Sequence, residues 1–245
     1  MGGSVGLKGT DGVAAEAARL GAVRHSGDRA AAALKELLPF GEEMTVLCAS
    51  GEMGESLVKG LGFPHIECVY ETGAETTSDD TKRAAQAMKD ADLLLFAGGD
   101  GTARDIFAAL GDKAVAIGIP AGVKIHSPVY AIRPEAAGKL ALKYLEGRCR
   151  HTYEAEVVDI DEAAYRDGRV STSLYGYLTV PDERDYMQHG KAPSPVSEHA
   201  QQCAIADEMI DRLKPDTYYL VGPGSTTRTL MDELGLPDTL IGVDL

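Results

Sequence analysis

The sequence predicts an α/β protein with a doubly wound parallel-sheet N-terminal domain and a β-rich second domain. Short apolar runs alternate with helix-forming stretches from Met44 to Pro120, the rhythm of parallel β-α-β units. The run Leu93–Ala97 is apolar throughout, as suits a strand covered on both faces. Beyond Pro120 the rhythm changes to strand-like stretches around Asp167-Gly168, a tight-hairpin signal because both positions tolerate positive φ. A chain of 245 residues holds two modest domains, and we place them at 1–132 and 133–245.

Taken in order, Val13–Leu38 is rich in Ala, Leu, Arg and Glu but interrupted at Ser26-Gly27-Asp28. Two helices are expected there, with Ser26 capping the second. Strands are expected at Met44–Ala49, Ile66–Tyr70, Leu93–Ala97 and Ala114–Ile119, and helices at Glu52–Lys59, Ser78–Asp90 and Thr102–Leu110. In the second domain Pro134–Leu145 reads as a helix, with Pro134 suited to its first turn. Tyr153–Asp161 reads as a strand, and Ala163–Val180 as two strands around the hairpin turn. Asp182–Ser197, with Pro193 and Pro195 close together, reads as a loop or lid. Ser197–Leu213 is an amphipathic helix whose Ala200, Cys203, Ala204, Ile210 and Leu213 share a face. A strand Tyr218–Val221, a glycine turn and a helix at Thr226–Leu234 complete the pattern.

Composition narrows the partners. The formal net charge of -14, from 24 Lys+Arg against 38 Asp+Glu, argues against a nucleic-acid groove, which needs clustered basic side chains. No apolar run approaches the roughly 20 residues that span a bilayer, and the first residues carry no secretory signal, so a cytoplasmic protein without a membrane partner is expected. Cys48, Cys68, Cys149 and Cys203 are scattered, with no metal-ligand spacing, and read as reduced structural thiols.

Four glycine-bearing segments carry the candidate chemistry. Gly98-Gly99-Asp100-Gly101-Thr102 lies between an apolar strand and a helix, at the sheet edge where open α/β folds bind ligands. Glycines let backbone N–H groups approach a phosphate, Thr102 can cap the helix or bond a phosphate oxygen, and the Asp100 carboxylate can take a proton from an attacking hydroxyl. Equally, the segment reads as a tight turn with Asp100 as its cap. Gly222-Pro223-Gly224-Ser225-Thr226-Thr227 follows an apolar strand, and its amides and hydroxyls suit a polyphosphate or ribose, or simply a well-capped helix start. The N-terminal stretch Gly2–Gly12, with Lys8, is either another anion loop or a tail. Lys124, His126 and Ser127, just past Pro120, are candidate substrate-binding residues or solvated loop side chains.

Together the Gly98–Thr102 motif after an apolar strand, the segment Ala116–Pro128, the β-rich region and the Gly222–Thr227 motif resemble the NAD kinase and diacylglycerol kinase-like superfamily, nearest its ATP-NAD kinase branch associated with acetoin catabolism. The resemblance runs from about Gly2 to Leu245. It implies a two-domain kinase with nucleotides held between the domains. Gly98, Gly99, Gly101 and Thr102 would contact phosphates, and Asp100 would be the general base on the acceptor, which in NAD kinases is the adenosine-ribose 2′-OH. Gly222, Gly224, Ser225, Thr226 and Thr227 would lie near the nucleotide. ATP or a polyphosphate would be the donor, with Mg2+ carried by its phosphates rather than by a protein metal site, and homo-oligomers are expected. The Asn-Glu or Asn-Asp pair that holds the dinucleotide in typical NAD kinases is missing between Tyr153 and Pro195. The chain also opens directly on the glycine loop, with no strand before it, and stops at Ile241–Leu245, where the family usually continues, a pattern that fits a truncated form, a short gene product or a compact relative. A kinase for another small alcohol, and a nucleotide-binding or sensor protein without turnover, therefore stand beside the NAD kinase reading.

Overall fold

The computed structural model describes residues 14–73, 75–111, 113–122, 125–160, 172–183, 185–188, 202, 205–206, 208–210, 212–214, 216–222 and 225–236. The chain forms two compact units, Met1–Gly190 and Lys191–Leu245. The boundary expected between 132 and 133 falls inside the first unit. No described helix is long and apolar enough to cross a membrane.

The first unit is a mixed α/β body with parallel strand pairs. Helices α1 (Ala14–Arg19) and α2 (Ser26–Lys35) form where two were expected. Ser26 is not the cap of α2 but its first residue. His25 takes the cap position with φ -119° and ψ -3°, outside the extended region from which an N-cap side chain reaches back to the helix. Strand β1 (Val46–Ala49) pairs in parallel with β2 (Ile66–Tyr70). Between them Gly54 adopts φ 141°, which divides the helix expected at Glu52–Lys59 into a 3-10 turn, Gly51–Met53, and α3 (Glu55–Leu61). Helix α4 (Ser78–Ala87) begins where predicted. The Thr77 N–H and hydroxyl donate to Asp80 Oδ2 at 2.8 and 3.0 Å, and the Tyr70 hydroxyl donates to Oδ1 at 2.9 Å. The Thr77 N–H, then Tyr70, then the Thr77 hydroxyl hold the Asp80 carboxyl below its usual range.

The second parallel pair positions the site. β3 (Leu94–Gly98) and β4 (Ala116–Pro120) run in unbroken register from Leu94↔Ala116 to Gly98↔Pro120. Leu94, Phe96, Ala116, Ile117 and Ile119 are buried in one apolar core with residues from α2, α5 and α6, which explains the near-continuous apolar character of these strands. Helix α5 (Asp100–Leu110) starts two residues before the predicted Thr102. Gly99 is its cap residue, so Thr102 sits in the first turn and does not cap it. Helix α6 (Pro134–Leu145) matches expectation and packs on α2. Gly138 makes that contact possible, because a Cβ there would overlap the Ala33 carbonyl oxygen.

Strands β5 (Thr152–Ile160) and β6 (Thr172–Pro181) pair antiparallel, with a register shift between Val157 and Val158. The Asp167-Gly168 turn lies outside the described residues. Part of the expected loop at Asp182–Ser197 is anchored: Met187 bridges Ala131, Ile132 donates to the Tyr186 carbonyl, and Gln188 donates to the Tyr130 carbonyl, both at 2.8 Å. Cys48, Cys68 and Cys149 are free thiols, and burial pushes each of them up. Cys203 lies outside the described residues.

In the second unit Ala206 is fully buried while Ile205 and Met209 are exposed, so Ala206 and Ile210 mark the inner side of a helix. Ala200, Cys203 and Ala204 lie outside the described residues. The strand expected at Tyr218–Val221 does not form. Apart from a single bridge at Val221, residues 217–221 join no ladder among the described residues, and Tyr218 and Leu220 are 88% and 74% exposed. Among the described residues its apolar side chains meet no sheet face to bury. The last described helix is α7 (Ser225–Glu233).

Two glycine substitutions test this packing. Gly138→Ala should lower the stability of the chain by about 1–3 kcal/mol through overpacking. Gly60→Ala, inside α3 with open space around it, should raise it by up to about 1 kcal/mol. Urea unfolding midpoints moving in opposite directions would bear out the assignment, and a common direction would contradict it.

Candidate functional site

The end of β3 and the end of β4 are neighbours in register, so the turns that follow them lie side by side. They touch backbone to backbone. Ala121 and Gly122 both donate their N–H to the Gly98 carbonyl at 2.9 Å. A Cβ on Gly122 would lie 2.9 Å from Gly99 Cα, and one on Gly98 would overlap the Thr102 side chain. These glycines are required by close approach. Gly101 has no such constraint, since a Cβ there would meet nothing within 4 Å.

Asp100 joins the two turns. It is buried, and its carboxylate accepts the His126 N–H on Oδ2 at 2.9 Å and the Ser127 N–H on Oδ1 at 3.0 Å. Its place in the first turn of α5 also suits the positive end of the helix dipole. Each oxygen has accepted one described N–H and retains lone-pair capacity for a further donor. The carboxylate is thus both a brace for the segment after β4 and an acceptor at the mouth of α5. The N–H groups of Asp100 and Gly101 are among those that helix geometry leaves without an intrahelical acceptor, and they belong to the turn that the sequence marks for phosphate.

Ser127 extends the brace. It is fully buried, its Oγ donates to the Val158 carbonyl at 2.8 Å, and it accepts the Val158 N–H at 3.1 Å. These bonds tie the segment after β4 to β5 beside its register shift, and they commit the hydroxyl to the scaffold. His126 contributes its N–H to Asp100, while the residue is exposed. Lys124 and Lys8 lie outside the described residues.

Two residues of the site are missing from the sequence reading. Tyr130, fully buried, donates its hydroxyl to the Gly99 carbonyl at 2.5 Å. Its ring meets Phe96 edge-on, with centroids 5.4 Å apart, and lies over Gly118, where a Cβ would overlap it. Burial, reinforced by the Asp100 charge, pushes its phenol well up. Arg104, one helical turn beyond Asp100, approaches Asp159 at 3.3 Å and stands over the Tyr175 ring at 5.3 Å. A turn further on, the Phe107 ring occupies the space that a side chain at Gly176 would need. The spacing of Asp100, Arg104 and Phe107 puts all three on one side of α5, which was the available signal for Arg104. For Tyr130 the sequence offers no local signal, because Gly118, the strand glycine its ring covers, is remote in the chain.

The second glycine turn belongs to the other unit. There the Thr227 hydroxyl donates to the Gly222 carbonyl at 2.7 Å, Thr226 is half-buried, and Ser225 opens α7. Gly224 lies outside the described residues.

Residues 23–149, just over half of the chain, match the family described as the ATP-NAD kinase N-terminal domain. No curated protein matches the chain. Two solved structures described as diacylglycerol kinases from Bacillus anthracis str. Sterne are 20% and 21% identical over 47% and 48% of this chain, each with a TM-score of 0.29. The aligned part covers 44% and 43% of their own chains, so this chain spans less than half the length of those it resembles.

Two measurements test the site as built. Ser127→Ala takes the Ser127 hydroxyl from the half-buried Val158 N–H and carbonyl and should lower stability by about 1 kcal/mol or more, whereas an unchanged urea midpoint would remove Ser127 from the scaffold. The Tyr130 phenol is held above its unfolded value of about 10, so the folded chain keeps a proton that the unfolded chain loses. That difference is without effect below pH ~10, where both states hold the proton, and lowers stability as pH rises further. Tyr130→Phe should therefore flatten the loss of stability above pH ~10, and an alkaline limb identical to the parent's would contradict the assignment.

Proposed function

The chain belongs to the ATP-NAD kinase family, and from that premise we propose that it is a phosphotransferase which phosphorylates a hydroxyl of NAD or a related nucleotide, with ATP or a polyphosphate as donor. The observation that carries this reading is the placement of Asp100. A buried carboxylate stands at the junction of β3 and α5, oriented by two backbone N–H groups and next to the start of a helix.

In this mechanism the N–H groups at the start of α5 receive the phosphate chain, whose charge the helix dipole favours. The acceptor hydroxyl approaches the remaining lone pairs of Asp100. As its oxygen attacks the terminal phosphorus, its proton passes to the carboxylate and the shortened donor leaves. Fixing the carboxylate through His126 and Ser127 removes the rotamer freedom that misalignment would use, so positioning and charge stabilisation supply most of the acceleration. Mg2+ carried by the donor phosphates would supply neutralisation of the charge developing there. That route suits the flanking carboxylates, because Asp105 lies 3.7 Å from Lys82 Nζ and Asp159 lies 3.3 Å from Arg104. Self-association is part of the same proposal.

The two N–H bonds to Asp100 also support a second reading, in which the carboxylate serves only to shape a nucleotide-binding site. Turnover separates the two. With NAD, ATP and Mg2+ the parent should form NADP, and Asp100→Ala should lose about 10²-fold or more of that rate. A parent that phosphorylates other nucleotides but makes no NADP would remove NAD as acceptor, and an Asp100→Ala enzyme at the parent rate would remove the base.

A further inference from the structure

The phosphate turn is held from beneath by a residue outside its own motif. We propose that Tyr130 is a positioning residue for phosphoryl transfer, whose hydroxyl sets the Gly99–Asp100 peptide so that the first N–H groups of α5 face the phosphate chain of a nucleoside triphosphate. This inference deepens the kinase reading above and rests on it.

The geometry begins with the Gly99 carbonyl, which accepts the Thr102 N–H at 2.9 Å and the Ala103 N–H at 3.1 Å. Those two bonds are what opening α5 requires. The Tyr130 hydroxyl, at 2.5 Å, is a third donor from a segment that α5 does not need. In a planar trans peptide the C=O of Gly99 and the N–H of Asp100 point in opposite directions. A carbonyl pinned toward Tyr130 therefore sends the Asp100 N–H the opposite way, and the peptide cannot rotate without breaking three bonds.

Tyr130 can exert this hold because its own backbone is fixed. On its two sides Val129 accepts the Gly118 N–H and Ala131 donates to the Gly118 carbonyl, both at 2.9 Å. The absence of a side chain at Gly118 then lets the ring lie flat against β4. Packing alone would be served by phenylalanine, since the ring already meets Phe96 and a buried hydroxyl carries a desolvation cost unless it is bonded. What the oxygen adds is the bond to Gly99. Burial also keeps the phenol protonated across the neutral range, so it remains a donor.

Tyr130→Phe is the discriminating variant. It removes one oxygen and leaves Gly99 with two donors, so no buried acceptor is stranded and the fold persists. ATP titrations of the full chain should show affinity weakened about tenfold, with a urea midpoint at neutral pH close to the parent's and faster hydrogen exchange at the Thr102 and Ala103 amides, which donate to the Gly99 carbonyl. A purely structural tyrosine would shift the midpoint and leave ATP affinity alone, and that result overturns the inference while the kinase reading stands. A parent that binds neither ATP, NAD nor polyphosphate overturns the kinase reading and this inference with it.

Discussion

The pair of hydrogen bonds from the His126 and Ser127 backbone to the Asp100 carboxylate is the interaction on which the site depends. Without it two glycine turns that follow adjacent strands would share only backbone contact. With it the segment after β4 is drawn to the start of α5, which brings Ser127 to Val158 and so joins the β3–β4 pair to the antiparallel β5–β6 pair. Arg104 with Asp159 and Tyr175, and Phe107 over Gly176, continue the same seam along α5. A buried charge is tolerable in this position because both oxygens are bonded and a helix N-terminus faces it. The proposed chemistry and the architecture would therefore share one carboxylate, and the rigidity that fixes the fold would also preorganise the group for the proton transfer proposed for it.

Much of this was legible in the residue pattern. The strand Ile66–Tyr70 and the helix Pro134–Leu145 have the bounds that periodicity and the N-terminal proline indicate. The Gly98–Thr102 segment stands at the carboxyl edge of a buried strand, as its glycines and the apolar run before it suggest. Sequence reading went astray where a single backbone angle or a missing neighbour decides. Gly54 breaks a helix by taking positive φ, His25 rather than Ser26 holds a cap position, and Tyr218–Val221 has the composition of a strand without a ladder to join.

The site was legible as a motif and not as a network. Asp100 stands out as an acidic residue among glycines at a strand end, a pattern that fits a catalytic carboxylate as well as a turn cap. Its partners are two backbone N–H groups 26 and 27 residues away, and any residue except proline supplies such a donor. Ser127 reads as a polar loop residue until its contact with Val158 is seen. Tyr130 is more hidden still, since a tyrosine in an apolar stretch looks like core. Its meaning comes from the distance between its hydroxyl and a carbonyl 31 positions earlier.

The central claim, that the Gly98–Thr102 turn is where phosphate is handled, is tested most directly by a crystal structure of the chain with ATP and Mg2+. Phosphate oxygens are expected within hydrogen-bond distance of the Asp100 and Gly101 amides, with the Asp100 carboxylate still bonded to His126 and Ser127 and turned toward the terminal phosphate. Phosphates bound elsewhere, with this turn in contact with no ligand, would contradict it.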